Sequence, residues 1–424
     1  MKVLWFTNVP LPDYYLRIGK ELYHKASWLY ALAEALRERE DIKLGVVSIV
    51  PNCKDLKFES NCVVHYVIGT RYYSDLQAFP SLSLIGSCKD AYRDFSPDLI
   101  NIFGTEHFYG LLTGLEYIKC PNIIFMQGII GAYQQYFFGG LSLWDILRTT
   151  SMADYYRFNG LMHIYLRRAF YAPIERRIIK SNKNFICVSP WDRAYVKEKN
   201  PDAMIFHHED ILRPEFYNRQ WDILSIKRHS IFVPTAESPL KGAHIILKAV
   251  ALLKNEFSDI ELRFAFSPLK DYSFSDNLIK RLKRNGFVSF LMYLIKRLGL
   301  VNNVVSLGML SAEEMTDELI RAHVFVAPSL IENRSNAIQE AMLVGTPAIV
   351  SYSGGTPSLI EGGKAALSFP AGDEKELAEQ VSVLFNDDLL AKKLSNDSRV
   401  VALKRNNKEI IVKKLMNIYS EVLR

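Results

Sequence analysis

Glu332 and Glu340 stand eight residues apart in the run Ala327-Pro328-Ser329-Leu330-Ile331-Glu332-Asn333-Arg334-Ser335-Asn336-Ala337-Ile338-Gln339-Glu340-Ala341-Met342. A strand ending at Pro328 predicts a loop to Asn336. Asn336 reads as the N-cap of a helix from about Ala337 to Val344, with Gln339 at the capping-box position and Gly345 as its stop. Glu332 then lies in the loop above a sheet, and Glu340 one turn into the helix. N–H groups at a helix start favour an anion such as a diphosphate, and a carboxylate beside them can accept hydrogen bonds from hydroxyls. The glutamate pair alone carries little, since a chain of this length should show roughly one such pair by chance. The strand, loop, helix and following Gly345-Thr346-Pro347 turn give it specificity. Lys241-Gly242, ahead of a helical pattern over 243–254, adds a cation on the preceding unit.

Other constellations point away from metal chemistry. His207-His208 with Glu209 and Asp210 has ligand-type residues, but neighbours on a strand face opposite ways, so an interdomain polar hinge is the expectation. No Asp-x-Asp motif stands in a suitable loop. The five cysteines are odd in number and scattered, with no Cys-x-x-Cys pair, which argues against a disulfide framework or zinc site and for a reducing cytosol.

These side chains need a scaffold, and the apolar pattern supplies one. Strand signals at 2–7, 43–50, 98–103, 122–126 and 184–188 alternate with helical patterns such as 27–38 and 190–199. In the second half, 230–234, 261–266, 304–307, 323–327 and 348–351 repeat the strand signal. Short apolar strands separated by helices predict parallel sheets covered on both faces. At 424 residues the α/β chain suits two doubly wound, Rossmann-like domains facing a central cleft. The expected domains are 1–206 and 207–406, followed by an amphipathic helix at 407–424. The apolar run at 2–7 is too short for a signal peptide. The uncharged stretch 121–144 carries three glutamines and four glycines, so it reads as a strand and a glycine- and aromatic-rich loop rather than a membrane span.

The net charge of +6 is unevenly placed. Arg148, Arg157, Arg167, Arg168, Arg176, Arg177, Lys180 and Lys183 are interleaved with aromatics. A second group, Lys280, Arg281, Lys283, Arg284, Lys296 and Arg297, surrounds the apolar run 287–295. Such segments suit an anionic bilayer surface or are simply solvated helix faces. No nucleic-acid module accompanies the charge, so nucleic acid is not an expected partner.

The run from Ala327 to Gly355, closing on Ser353-Gly354-Gly355-Thr356-Pro357, resembles the signature of the family 4 (group 1) glycosyltransferases, and Lys241-Gly242 resembles that family's phosphate-binding lysine. Weaker similarities at 2–10, 28–36, 98–106, 189–195 and 212–217 extend the resemblance over most of the chain. It implies a GT-B fold whose final helix, 407–424, crosses back to the first domain, and retaining, metal-independent transfer of a sugar from a nucleotide sugar to a glycan or lipid-linked acceptor, with no cofactor. The setting it implies is cell-surface polysaccharide biosynthesis in the cytoplasm, or peripherally at the inner face of the plasma membrane. It implies that Glu332 meets the transferred sugar, Glu340 the ribose and Lys241 the leaving diphosphate. Asn333, Arg334, Ser335, Asn336, Gly354 and Gly355 would contact sugar or phosphate. The chain departs from the pattern in three places. His24-Lys25-Ala26-Ser27-Trp28 has no glycine pair, so Lys25 would supply charge there. No arginine precedes Lys241 in 232–241. Gln127 stands where the family often has a histidine, leaving Glu106 or His107 to meet the acceptor, or to serve as ordinary loop polarity. Two competing functions are a nucleotide-sugar epimerase on the same fold and a catalytically silent binding subunit.

Overall fold

The computed structural model describes residues 1–20, 27–72, 76, 78–265, 269, 273 and 286–424. Lys25, Lys280, Arg281, Lys283 and Arg284 lie outside the described residues. The chain forms two compact units. The first comprises 1–132, 168–212 and 406–424, and the second 133–167 and 213–405. Residues 133–167, which chain order alone assigned to the first unit, therefore cluster with the second, and 406–424 cluster with the first.

Among the described residues of the first unit, eight strands make one sheet. They are β1 (Lys2–Thr7), β2 (Lys43–Pro51), β3 (Leu56–Ser60), β4 (Val63–Thr70), β5 (Leu99–Phe103), β6 (Asn122–Phe125), β7 (Asn184–Cys187) and β8 (Met204–His207). Their order is β3-β4-β2-β1-β5-β6-β7-β8, parallel throughout except for β3 against β4. β1 and β5 are buried along nearly their whole length, as strands covered on both faces must be. The C-terminal helix Lys408–Val422 completes this unit. Ile411, Leu415 and Tyr419 join its core, and the Tyr419 hydroxyl accepts from Trp5 Nε1 (3.2 Å) and Asn101 Nδ2 (2.9 Å).

The second unit holds β9 (Lys227–Val233), β10 (Glu261–Ala265), β11 (Val304–Gly308), β12 (Ala322–Ala327), β13 (Ala348–Tyr352) and β14 (Leu367–Pro370). These six described strands are all parallel, in the order β11-β10-β9-β12-β13-β14. Among the parallel strands of each unit the order reverses direction once, between β1 and β5 and between β9 and β12. Loops at the carboxyl ends of those strand pairs splay apart and leave room for ligands.

The stretch after β6 is more ordered than its glycine content predicts. A short helix, Ile130–Tyr133, and a 3-10 turn, Gln134–Tyr136, replace the expected loop, because the Glu175 carboxylate accepts the N–H groups of Ile130 and Gly131. No described helix is long and apolar enough to cross a membrane.

Candidate active site

In the second unit the loops after β9 and β12 are stitched together by backbone. Leu330 N donates to Leu240 O at 2.8 Å. Gly242 closes the 3-10 turn Pro239–Lys241 with φ of 71°, and a Cβ there would sit 2.0 Å from Pro328 O. Only glycine tolerates both the left-handed backbone and that approach. The stitching brings Lys241 Nζ to 2.6 Å from Glu332 Oε2, a half-buried ion pair at the point where strand order reverses.

The loop after β13 fixes Glu332 from the other side. Gly355 N donates to Glu332 O at 2.9 Å, and a Cβ on Gly354 (φ 54°) would lie 2.2 Å from the same oxygen. Gly354 and Gly355 thus position the Glu332 backbone. Ser351 and Ser353 donate from their hydroxyls to Ser329 O. A further support comes from the 133–167 segment of the same unit: Asn333 N donates to Tyr133 Oη at 2.9 Å, and Asn333 is buried. His244, at the start of the Ala243–Leu253 helix, has its Nε2 2.8 Å from Gly139 O, tying that segment to the Lys241 loop as well.

The helix carrying Glu340 runs from Asn336 to Val344 and ends at Gly345 with φ of 83°. Its cap is Ser335, whose hydroxyl accepts from Ile338 N, and not the expected Asn336. Ser335 and Asn336 are both good caps, and tertiary packing selects the register. The shift moves Gln339 out of the capping-box position; it accepts from Arg334 Nη2 at 3.1 Å and donates to Asn336 Oδ1 at 3.4 Å. Glu340 is buried, its side chain 5% exposed, and it accepts from Arg213 Nη2 at 3.0 Å. Burial raises its carboxyl pKa against the lowering effect of Arg213. Arg213 also stacks on Phe216 at 4.8 Å, while its Nε and Nη1 are buried without a hydrogen-bond partner among the described residues. Sequence reasoning did not single out Arg213. The signal was its place in 212–217, a stretch whose similarity was noted but not resolved to one residue.

The first unit has a counterpart at its own reversal point. Glu106, just after β5, accepts from Asn8 Nδ2 after β1 (3.2 Å) and from Gly128 N after β6 (2.7 Å). Burial raises its pKa. Gln127 stands in the same post-β6 loop, half-buried. His107 is buried beside Tyr109, and burial lowers its pKa to about 4, so it is neutral at neutral pH. Glu175, which the sequence reading passed over, lies beneath these loops on the helix Leu161–Ser181. Its fully buried carboxylate accepts from Ile130 N (2.9 Å), Gly131 N (2.7 Å) and Thr105 Oγ1 (3.0 Å), and burial raises its pKa to about 7. No spacing rule reveals it, because its partners come from loops far away in the chain.

The suspected histidine cluster is ordinary. His207 pairs with Glu209, and the buried His208 reaches Ile411 O on the C-terminal helix. Among the described residues no group of histidine, cysteine, aspartate or glutamate could hold a metal ion.

Residues 227–387 match the family model described as "Glycosyl transferases group 1". Among curated relatives, the chain is 29% identical over 200 residues to an MMP alpha-(1->4)-mannosyltransferase of Mycolicibacterium hassiacum, covering 47% of this chain and 44% of that protein. It is 26% identical over 230 residues to a D-inositol 3-phosphate glycosyltransferase of an Arthrobacter species, covering 50% of each. These matches span about half the length of either relative. Over essentially whole chains the fold is similar to the sucrose-phosphate synthase of Thermosynechococcus elongatus, with a TM-score of 0.69, 16% identity and coverage of 100% of this chain and 99% of that one. It is similar too to Anabaena HepE in complex with UDP and glucose, with a TM-score of 0.67, 15% identity and 99% of both chains covered. Two parallel-sheet Rossmann-like units and the whole-chain likenesses agree on the GT-B fold, and within it residues 227–387 carry the match to the group 1 glycosyltransferases.

Proposed function

We propose that the protein transfers a hexosyl or related sugar from a nucleotide sugar to a glycan or lipid-linked acceptor, with retention and without a metal, in cell-surface polysaccharide biosynthesis. The observation that carries this reading is the Lys241–Glu332 pair held at the strand-order reversal of the second unit, with the buried Glu340–Arg213 pair on the neighbouring helix. As the anomeric C–O bond breaks, negative charge grows on the diphosphate, and Lys241 with the Ser335-capped helix start can stabilise it. Glu332 then faces the electron-poor sugar carbon. The acceptor oxygen attacks from the side the diphosphate leaves, and its proton passes to a leaving phosphate oxygen. Glu340, ordered by Arg213, accepts from the ribose hydroxyls, and the open Arg213 donors supply further hydrogen bonds. Asn333, Arg334, Asn336 and the Gly354-Gly355 backbone bound the sugar. In the first unit Glu106 and Gln127 are the groups offered to an acceptor, with Lys25 and His107 as further candidates. An acceptor anchored in lipid would bring the enzyme to the inner face of the plasma membrane as a peripheral protein.

The test is a thermal-shift screen of the purified protein against UDP, GDP, ADP and their sugars. At least one nucleotide should raise the melting temperature, and stabilisation by none of them would overturn the reading. Glu340→Gln should weaken nucleotide binding, whereas Glu332→Gln should mainly slow transfer. The opposite pattern would reverse the two roles.

A further inference from the structure

Residues 143–166 of the second unit invert the usual placement of large apolar side chains. On the helix Leu143–Arg148, Ile146 is buried while Leu143, Trp144 and Leu147 point outward, Trp144 with 74% of its surface exposed. Tyr156, ending the helix Met152–Tyr156, is 86% exposed, and Phe158 is 71% exposed. Leu166 continues the series on the next helix. All five tryptophans are described, and Trp144 is the exposed one among them.

This display is built rather than frayed. Ser142 and Asp145 cap the first of these helices reciprocally, and Ser151 and Asp154 do the same for the second. Asp154 Oδ2 also accepts from Gly286 N at 2.7 Å, anchoring the segment to the helix Gly286–Arg297. Phe158 packs edge-on to His163 at 5.4 Å. Both acids of the segment are thus occupied in capping, while Arg148, Arg157 and Arg167 are exposed, and Lys296 and Arg297 are exposed at the end of the anchoring helix. Arg148 lies over Tyr293 of that helix at 5.2 Å, so the cations border the apolar side chains.

We propose that this shelf docks on an anionic lipid bilayer, with the aromatic and leucine side chains entering the headgroup–acyl boundary and the arginines meeting lipid phosphates. Tryptophan and tyrosine have an apolar body and a polar tip that suit that boundary, and outward positive charge complements anionic headgroups. The biological purpose of such docking rests on the lipid-linked acceptor proposed above; the surface chemistry does not.

The experiment is flotation of the full-length protein with phosphatidylcholine vesicles, with and without phosphatidylglycerol, while Trp144 emission is followed. Expected are flotation with the phosphatidylglycerol vesicles, weakening as salt rises, and a blue shift of the emission. The double substitution Trp144→Ser with Leu147→Ser should lower vesicle partitioning by at least about tenfold. Arg148→Glu with Arg157→Glu should abolish the preference for phosphatidylglycerol. Undiminished flotation of the Trp144→Ser, Leu147→Ser protein, or no flotation of the unaltered one, would overturn the proposal. So would concentration-dependent self-association that the same double substitution removes, since the shelf would then be an interface between copies. Nucleotide thermal shifts on the unaltered protein separate the two readings: no vesicle binding with nucleotide binding present counts against the shelf alone, and vesicle binding with no nucleotide binding counts against the donor site alone.

Discussion

Lys241 holds its charge 2.6 Å from Glu332. Under the proposed function an arriving diphosphate would draw the ammonium away from that carboxylate, and this exchange of partners would make Lys241 matter more in the transition state than in the ground state. Lys241→Met should lower kcat roughly 10²–10³-fold with a smaller change in KM, the pattern of a lost oxyanion-type donor, measured by steady-state kinetics with the stabilising nucleotide sugar. Glu175 yields a prediction about pH. Its folded pKa of about 7 lies above the unassociated value of 4.5, because burial outweighs two backbone donors. The folded state then binds the proton more tightly than the unfolded chain, so the stability Glu175 contributes is full below about 4.5 and is lost as pH rises through 7. The loss is on the order of 3 kcal/mol. Unfolding of the unaltered protein compared with Glu175→Gln across pH 4.5 to 8 should show their stability difference falling to about pH 7 and flat above it; a difference independent of pH would contradict this.

At the scale of elements, two glycines hold three loops in contact, and each leaves no room for a methyl group. Gly242→Ala and Gly354→Ala combine a positive φ with a Cβ only 2.0 or 2.2 Å from a carbonyl oxygen. Gly362 has a similar φ of 68° with nothing within 4 Å, so Gly362→Ala should lose only about 1–2 kcal/mol from its backbone conformation. The other two should lose more in chemical denaturation and should bind nucleotide less tightly. Elements of this kind differ in how plainly the sequence announces them. β1 and β12 are largely apolar runs and β9 ends in one, and the reading found them within a few residues of their limits. β3 escaped notice because Lys57 and Glu59 alternate outward on an antiparallel edge strand, and β8 because it is four residues long and barely buried. Gly345 was legible as a helix stop because its φ is a local matter. Ser335 was not legible as the cap, since local chemistry favours Asn336 equally and distant packing decides. The same division runs through the site: Glu332, Glu340 and Lys241 sit in local patterns. Arg213 and Glu175 are defined by partners 127 and 70 residues away.

On the scale of the whole molecule, residues 133–167 belong to a unit that otherwise begins at residue 213. Tyr133 connects that excursion to the site, its hydroxyl accepting from Asn333 N across 200 positions of sequence. Tyr133→Phe removes this acceptor from a buried N–H and should cost about 1–3 kcal/mol. Hydrogen exchange should report it: nucleotide should protect the 130s together with 328–336 in the unaltered protein, and protection of the 130s should shrink in Tyr133→Phe. The same interleaving bears on how the chain is made. The polypeptide passes between the two units four times, at 132/133, 167/168, 212/213 and 405/406. On a ribosome, then, neither unit emerges in one piece. The first exposes the ring of Trp5 and the amide of Asn101 before Tyr419, their hydrogen-bond partner, has been synthesised. The core of that unit is therefore complete only once residues 406–424 have been made, and during that interval it is open to chaperones and to aggregation.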